Sequence, residues 1–264
     1  MVLIKRHFKP FLMTAIFAVI PALIYSFQYQ FDPAYGDSIS YTLKSFCFYE
    51  SNDDLMLTLT ISATMFIQII PLLNIFKRDF GTELWYCITR YHSRKRWFFK
   101  KTATVILMSL FSAVVFFAVS LILLLLRNVV DSGFVSENKT LFLWLFLMRF
   151  FFVVFFALLL NVISIAVKVR YIVALGAALT IASGAFSIAE IFAGLKNSLN
   201  PYVHATFYFH REITAFLDES RISYFFSGIS LFESAIYFVA CLGIITTAGL
   251  ILTEKMDLGL LEEY

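Results

Sequence analysis

The apolar residues of this chain fall into long, uninterrupted runs rather than into stripes that alternate with polar residues. Most runs hold about twenty residues, which is the length that an α-helix needs to cross the hydrocarbon core of a bilayer. The strands of a membrane β-barrel would instead show about ten residues of apolar and polar alternation, and the sequence has no such segments. The runs predict six membrane-spanning helices, at about residues 11–28, 55–75, 104–126, 141–167, 171–192 and 227–250.

The composition supports a membrane location. Hydrophobic residues make up 60% of the 264 residues and charged residues 15%, whereas about a quarter of a typical soluble domain is charged. In lipid, the backbone must satisfy its own polar groups, so apolar runs of this length form helices. We therefore expect an all-α, polytopic membrane protein with a single transmembrane domain over residues 1–264.

The positive charges are distributed unevenly between the connections. Of the 21 Lys and Arg residues, 14 lie before the first span, between spans 2 and 3, in the turn between spans 4 and 5, or after span 6. Six lie in the other connections, and Arg149 lies inside the fourth span. Because loops rich in Lys and Arg stay in the cytoplasm, we predict a multi-pass protein of the cell (plasma) membrane with a cytoplasmic N-terminus and C-terminus. Cys47 would then lie outside and Cys87 inside.

The connection between spans 2 and 3 has a pattern of its own. Its sequence over residues 76–101 is FKRDFGTELWYCITRYHSRKRWFFKK. The apolar residues recur at the spacing of one face of an amphipathic helix, and a basic cluster follows them. This pattern fits a helix that rests on anionic lipid headgroups, and it fits a helix that docks on a cytoplasmic partner. The apolar face consists of Phe80, Leu84, Cys87, Ile88 and Tyr91.

This connection resembles the loop between spans 2 and 3 of ABC-2-type transporter permeases. That loop has an acidic cluster, a Gly-Thr pair, a short coupling helix, a Ser-Arg turn and a Lys that opens span 3. The chain departs from the pattern at Lys77, where an acidic residue is usual, and it has no proline before Ser93. The overall layout is also similar, including a long external segment between spans 5 and 6 that dips into the outer leaflet in that family. The matching residues are Asp79, Gly81, Thr82, Ser93, Arg94 and Lys101.

The resemblance implies a permease subunit of an ABC transporter that exports an amphipathic or hydrophobic substrate such as a peptide, a bacteriocin or a drug. It also implies a separate ABC ATP-binding subunit, which would hold ATP and Mg, and a second permease copy or paralogue that completes a dimer. The chain itself has no P-loop motif of the GxxxxGK[ST] form, so we expect no enzyme activity and no cofactor on it. The ATPase-coupling residues that the resemblance implies are Asp79, Gly81, Thr82, Glu83, Leu84, Ile88 and Arg94.

Three charged residues lie inside predicted spans, namely Arg149, Glu190 and Glu233. A charge in the hydrocarbon region is costly, and it is usually paired or faces a polar cavity. We therefore expect either a structural pair of Arg149 and Glu233 or a role for one of the three charges in the substrate path. A different group, His204, His210 and Glu212, has a spacing that matches no zinc signature, so no metal site is predicted.

Two other classes of function stay open. A non-transporting membrane protein, such as an assembly or immunity factor, would bind its target within the bilayer. A membrane enzyme would need His, Asp or Glu residues clustered at one depth, and the sequence has no such cluster. The expected surroundings are the lipid bilayer, and no nucleic-acid partner is expected.

Overall fold

A computed structural model describes residues 2–28, 55–77, 93–167, 169–192, 199–206, 210–212 and 229–255, together with residues 38, 42 and 46. Over these residues the protein is helical and forms no strand. One isolated parallel bridge joins His210 to Ile229. The prediction of an all-α architecture is therefore confirmed for this part of the chain.

The described residues form long helices joined by short ones. Local chemistry sets several boundaries, because Ser93 accepts a hydrogen bond from the backbone N–H of Arg96, and Asp131 accepts one from Phe134. The helices are α1 (Val2–Gln28), α2 (Leu55–Ile69, followed by a 3₁₀ turn over Ile70–Leu72), α3 (Arg94–Leu126), α4 (Ser132–Glu137), α5 (Lys139–Ala166), α6 (Val169–Phe192), α7 (Pro201–Ala205) and α8 (Leu231–Lys255).

Four of the described helical stretches are long and apolar enough to cross a membrane. They coincide with the predicted spans 1, 3, 4 and 6, so four of the predicted spans are helices long and apolar enough to cross a membrane. The predicted spans 2 and 5 coincide with shorter apolar stretches, Ile61–Leu72 and Tyr171–Ser187. The four candidate spans are Lys9–Phe27, Arg94–Leu126, Lys139–Ala166 and Leu231–Lys255.

The helix ends meet in two groups. Lys77, just after the 3₁₀ turn, donates a hydrogen bond to the carbonyl of Val167 at the end of α5. At the start of α3, Arg94 donates to the carbonyl of Glu254 near the end of α8, and the first half of α1 shares a cavity with the start of α3. We call this group the basic end of the bundle. At the opposite end, Arg127 donates to the carbonyl of Ser26 at the end of α1.

Helix α5 lies at the centre of the bundle and packs against α2, α3, α6, α7 and α8. Its apolar side chains are buried over most of its length. Close approach of the neighbouring helices depends on two glycines, since a Cβ on Gly176 of α6 would lie 2.8 Å from a methyl of Leu160, and one on Gly249 of α8 would lie 2.8 Å from a methyl of Val162. The core is therefore built around α5.

Candidate functional site

The predicted coupling residues fall almost entirely outside the described part of the chain. Arg94 is described, as the first residue of α3. The residues on both sides of the segment 78–92 are also described, so the attachment of this segment to the bundle can be examined. The predicted coupling residues that lie outside the described part are Asp79, Gly81, Thr82, Glu83, Leu84 and Ile88.

Both flanks of the segment 78–92 are bonded to the ends of other helices. On one side, the ammonium group of Lys77 donates to the carbonyl of Val167, the C-cap residue of α5. On the other side, Nη1 of Arg94 donates to the carbonyl of Glu254 at 3.0 Å, and Nζ of Lys95 lies 2.8 Å from Oε1 of the same residue. Cations at the carbonyl end of a helix are favoured by its dipole. We call these two attachments the anchors.

Aromatic packing fixes the two anchors relative to each other. The ring of Phe76, next to Lys77, meets the rings of Trp97 and Phe98 edge-on, with centroids 5.8 and 5.5 Å away. All three side chains are buried, whereas the Lys95–Glu254 pair is solvent-exposed and contributes little to stability because water screens its charges. Asn161 of α5 adds a hydrogen bond, with Oδ1 accepting from the N–H of Phe76 at 3.2 Å. The buried rings therefore hold the end of the 3₁₀ turn against the start of α3, and the ionic contacts connect this region to α5 and α8.

Arg149 lies in α5, ten residues after Lys139 and therefore about 15 Å along the helix. Its side chain is 3% exposed. Nε donates to Oε1 of Gln68 at 2.8 Å, and the guanidinium carbon lies 4.4 Å from the centroid of the Phe116 ring. Gln68 in turn donates from Nε2 to the carbonyl of Ser112 at 3.1 Å. The charge therefore joins α2, α3 and α5 through a neutral amide and a ring face.

Glu233 caps a helix and is not paired with Arg149. It lies in the first turn of α8 with an exposed side chain. Its carboxylate accepts from the N–H of Ser230 at 2.7 Å, and its own N–H donates to Oγ of Ser230 at 3.1 Å. This reciprocal arrangement is a capping box. The structure therefore does not form the predicted pair of Arg149 and Glu233, because Glu233 caps the start of α8 while Arg149 lies three turns inside α5. The side chain of Glu190 is outside the described part.

The structure brings His204 and His210 together on a serine that the sequence did not single out. Nδ1 of His204 and Nε2 of His210 lie 2.8 and 2.7 Å from Oγ of Ser234. Nδ1 of His210 lies 3.0 Å from the carbonyl oxygen of Thr206, which can only accept, so this nitrogen carries a proton. With both rings neutral, one chain of hydrogen bonds satisfies these three contacts: His204 donates to Ser234, Ser234 donates to His210, and His210 donates to Thr206. These hydrogen bonds link α7 to α8 at the end of the bundle opposite the basic end.

The serine–histidine contact has the atoms of a nucleophile and a base, with a third group that orients the base. Ser234 is completely buried, however, and His210 is too. The ring of Tyr237 stacks on His204 with centroids 3.9 Å apart and covers the cluster. Glu212 is also engaged, since its carboxylate accepts from the N–H of Leu231 at 3.1 Å. A buried serine offers no surface to a substrate, so we interpret the cluster as a structural contact that joins α7 to α8.

Comparisons of the chain with protein-family models, curated proteins and solved structures find no match. The residues that complete the clusters, Gln68, Ser234 and Glu254, were not predicted as site residues. Gln68 carried a readable signal, because it is an uncharged polar residue in the middle of an apolar run. Ser234 and Glu254 had no such signal in the sequence, because their contacts depend on which helix ends lie close together in the fold.

Proposed function

We propose that the chain is the permease subunit of an ABC exporter, with six membrane-spanning helices, and that its segment 78–92 is the element that docks on a separate ATP-binding subunit. The observation that supports this proposal is the pair of anchors. A segment that only rested on lipid would need no attachment beyond its own two helices. Here its flanks are bonded to α5 and α8 as well, so a force on the segment would reach four helices at once.

In this mechanism, ATP closes the dimer of the ATP-binding subunits and moves the segment 78–92. Ser93 caps α3 directly after the segment, so the motion enters a rigid helix of 33 residues. Arg94 and Lys95 carry it to α8, and Lys77 carries it to the end of α5. A half-transporter of this kind acts with a second copy or a paralogue, and ATP and Mg are held by the partner. The substrate path would be apolar, consistent with export of an amphipathic or hydrophobic molecule.

The remaining two spans of the proposed topology are α2 and α6. The 18 residues from Leu55 to Leu72 include the 3₁₀ turn and would extend for about 27 Å, close to the thickness of a thin bilayer core. The 24 residues of α6 would extend for about 36 Å. With both helices across the membrane, the basic end would lie in the cytoplasm, as the Lys and Arg distribution predicts.

Substitutions that reverse or introduce a charge within the segment 78–92 test whether it docks on the ATP-binding subunit. Glu83→Lys and Leu84→Asp should leave membrane insertion unchanged, because the segment is outside the proposed spans. They should weaken co-purification of the ATP-binding subunit by at least about tenfold, since like-charge contacts and buried charges are costly at an interface. Glu137→Lys in α4, an exposed residue at the opposite end of the bundle, is the matched control and should retain binding.

If the segment rests only on lipid, Glu83→Lys would strengthen membrane attachment by about 1 kcal/mol and leave the ATP-binding subunit unaffected. Equal co-purification by the wild type and by both segment variants would therefore reject the docking role. An absence of any ATP-hydrolysing partner with the wild-type chain would favour an assembly or immunity factor instead.

A further inference from the structure

Two adjoining cavities open at the basic end of the bundle, between α1, the 3₁₀ turn and α3. Their volumes are about 570 and 340 Å³, which is within the range of small-molecule sites. Pro10 of α1 and Pro71 of the 3₁₀ turn line both cavities and so form the ridge where the two meet. Most of the other lining residues are apolar, including Met13, Phe17, Leu73, Leu107 and Met108.

Each cavity carries one lysine at its rim. Lys9 lines the larger cavity and Lys101 the smaller one. Lys9 is the last charged residue before the apolar part of α1, and Lys101 is the last before 25 uncharged residues of α3. Those 25 residues extend for about 37 Å, slightly more than the hydrocarbon core. With the apolar part of both helices in the hydrocarbon core, both ammonium groups would lie at the depth of the lipid phosphates.

We propose that this groove binds one anionic phospholipid, with an acyl chain in the apolar cavities and the phosphate held by Lys9 and Lys101. An apolar cleft that opens beside two cations is complementary to a molecule with a long apolar part and a negative head. Asn74 adds a side-chain amide to the wall of the larger cavity. The site is formed by α1, the 3₁₀ turn and α3, so it does not depend on the docking role of the segment 78–92.

The occupant would act on the packing of these three elements. It would fill the space that the described residues of α1 and the 3₁₀ turn leave open. Pro71 lies on the wall of both cavities, and Lys77, six residues later, forms the anchor to α5. A bound lipid would thus stabilise the turn from which this anchor begins.

The test is a lipid titration of the purified full-length chain, followed by native mass spectrometry. Phosphatidylglycerol and phosphatidylcholine with identical acyl chains are the probes. The wild type should bind one phosphatidylglycerol in preference to phosphatidylcholine. The double variant Lys9→Gln/Lys101→Gln should bind phosphatidylglycerol about 30-fold more weakly, at roughly tenfold or less per lost cation. The control Lys139→Gln/Lys255→Gln removes the same charge from exposed lysines outside the cavities and should bind as the wild type does.

A third variant, Met13→Trp, tests the apolar part of the site without a change in charge. It fills the larger cavity from a partly exposed position and should weaken binding of both phospholipids. Glycerol phosphate, which has the head but no acyl chain, should bind at least tenfold more weakly than phosphatidylglycerol. Equal losses in the double variant and its control would mean general attraction of headgroups to a basic surface. That result, unselective binding by the wild type, or full binding by Met13→Trp would overturn the proposal.

Discussion

Arg149 is a buried charged residue inside a long apolar helix, and its environment explains how it is tolerated. The guanidinium group contacts the amide of Gln68 and the face of the Phe116 ring. Cation–π contacts of desolvated groups contribute about 2 kcal/mol, and hydrogen bonds to charged groups about 1.5–3 kcal/mol. Helices α2, α3 and α5, which supply these groups, are therefore held together at the level of Arg149.

This arrangement predicts coupling between Arg149 and Gln68. Arg149→Met and Gln68→Leu should each lower the free energy of unfolding by about 2–3 kcal/mol, because each leaves a buried polar partner behind. The double variant should lose less than the sum, with a coupling of about 1 kcal/mol or more. Reversible unfolding in mixed micelles measures these differences.

Glu233→Ala is the matched control. It removes half of a capping box at an exposed position and should lower the free energy of unfolding by less than Arg149→Met does. Its effect should add to that of Arg149→Met, since the two residues have separate partners. Strong coupling of Arg149 to Glu233, with none to Gln68, would contradict the structure and restore the pair that the sequence predicted.

The sequence identified Arg149 and Glu233 as charges that need partners, but it could not identify the partners. A run of apolar residues does not define where a helix begins. The start of α8 at Leu231 is set by Ser230 and Glu233, and it makes Glu233 a capping residue at the helix end. The depth of each charge follows from such boundaries, so a pairing argued from sequence alone could not distinguish a cap from an ion pair.

Among the helices, α8 shows how close packing depends on one residue. A Cβ at Gly249 would lie 2.7 Å from Cζ of Phe98 in α3 and 2.8 Å from Cγ2 of Val162 in α5. Phe98 is fully buried and has little room to move. Gly243, two turns earlier in the same helix, has no atom within 4 Å of such a Cβ. The two glycines therefore separate the effect of packing from that of helix propensity.

We expect Gly249→Ala to destabilise the protein by about 1–3 kcal/mol through overpacking. Gly243→Ala should be neutral or stabilise it by up to about 1 kcal/mol, because alanine has the higher helix propensity. The thermal unfolding midpoints of the two variants in the same detergent provide the comparison. Equal midpoints would show that α8 does not pack on α3 and α5 at this position.

The helices themselves were largely predictable, and their polar extensions were not. Hydropathy located the apolar part of α3 from residue 104, whereas the helix begins at Arg94, because a Ser cap and a basic first turn continue the helix beyond the lipid. The short helices α4 and α7 have too few apolar residues to form a run, and Asp131 and Asn200 start them as caps. Local hydrogen bonds decide these boundaries, and burial patterns do not report them.

At the scale of the whole molecule, the distribution of Lys and Arg predicts the orientation. The 14-to-6 distribution of Lys and Arg predicts that Cys47 faces outward and Cys87 faces the cytoplasm, and both residues lie outside the described part of the chain. In intact cells, a membrane-impermeant maleimide should label the variant that retains only Cys47. The variant that retains only Cys87 should be labelled only after the cells have been permeabilised. Labelling of Cys87 in sealed cells would contradict the predicted orientation.

In the proposed mechanism, the segment 78–92 passes motion from an ATP-binding partner to the bundle through its anchors. The most direct measurement is the rate of ATP hydrolysis by that partner, alone and bound to the chain in lipid nanodiscs. Arg94→Gln/Lys95→Gln removes the anchor on α8 and keeps the segment itself intact. Arg96→Gln/Lys100→Gln removes the same charge from exposed positions of the same helix.

We predict that the wild type and the control variant change the hydrolysis rate several-fold, and that the anchor variant binds the partner equally well but loses most of this effect. A hydrolysis rate that the wild-type chain leaves unchanged, or that the anchor variant changes as fully as the wild type does, would contradict this mechanism.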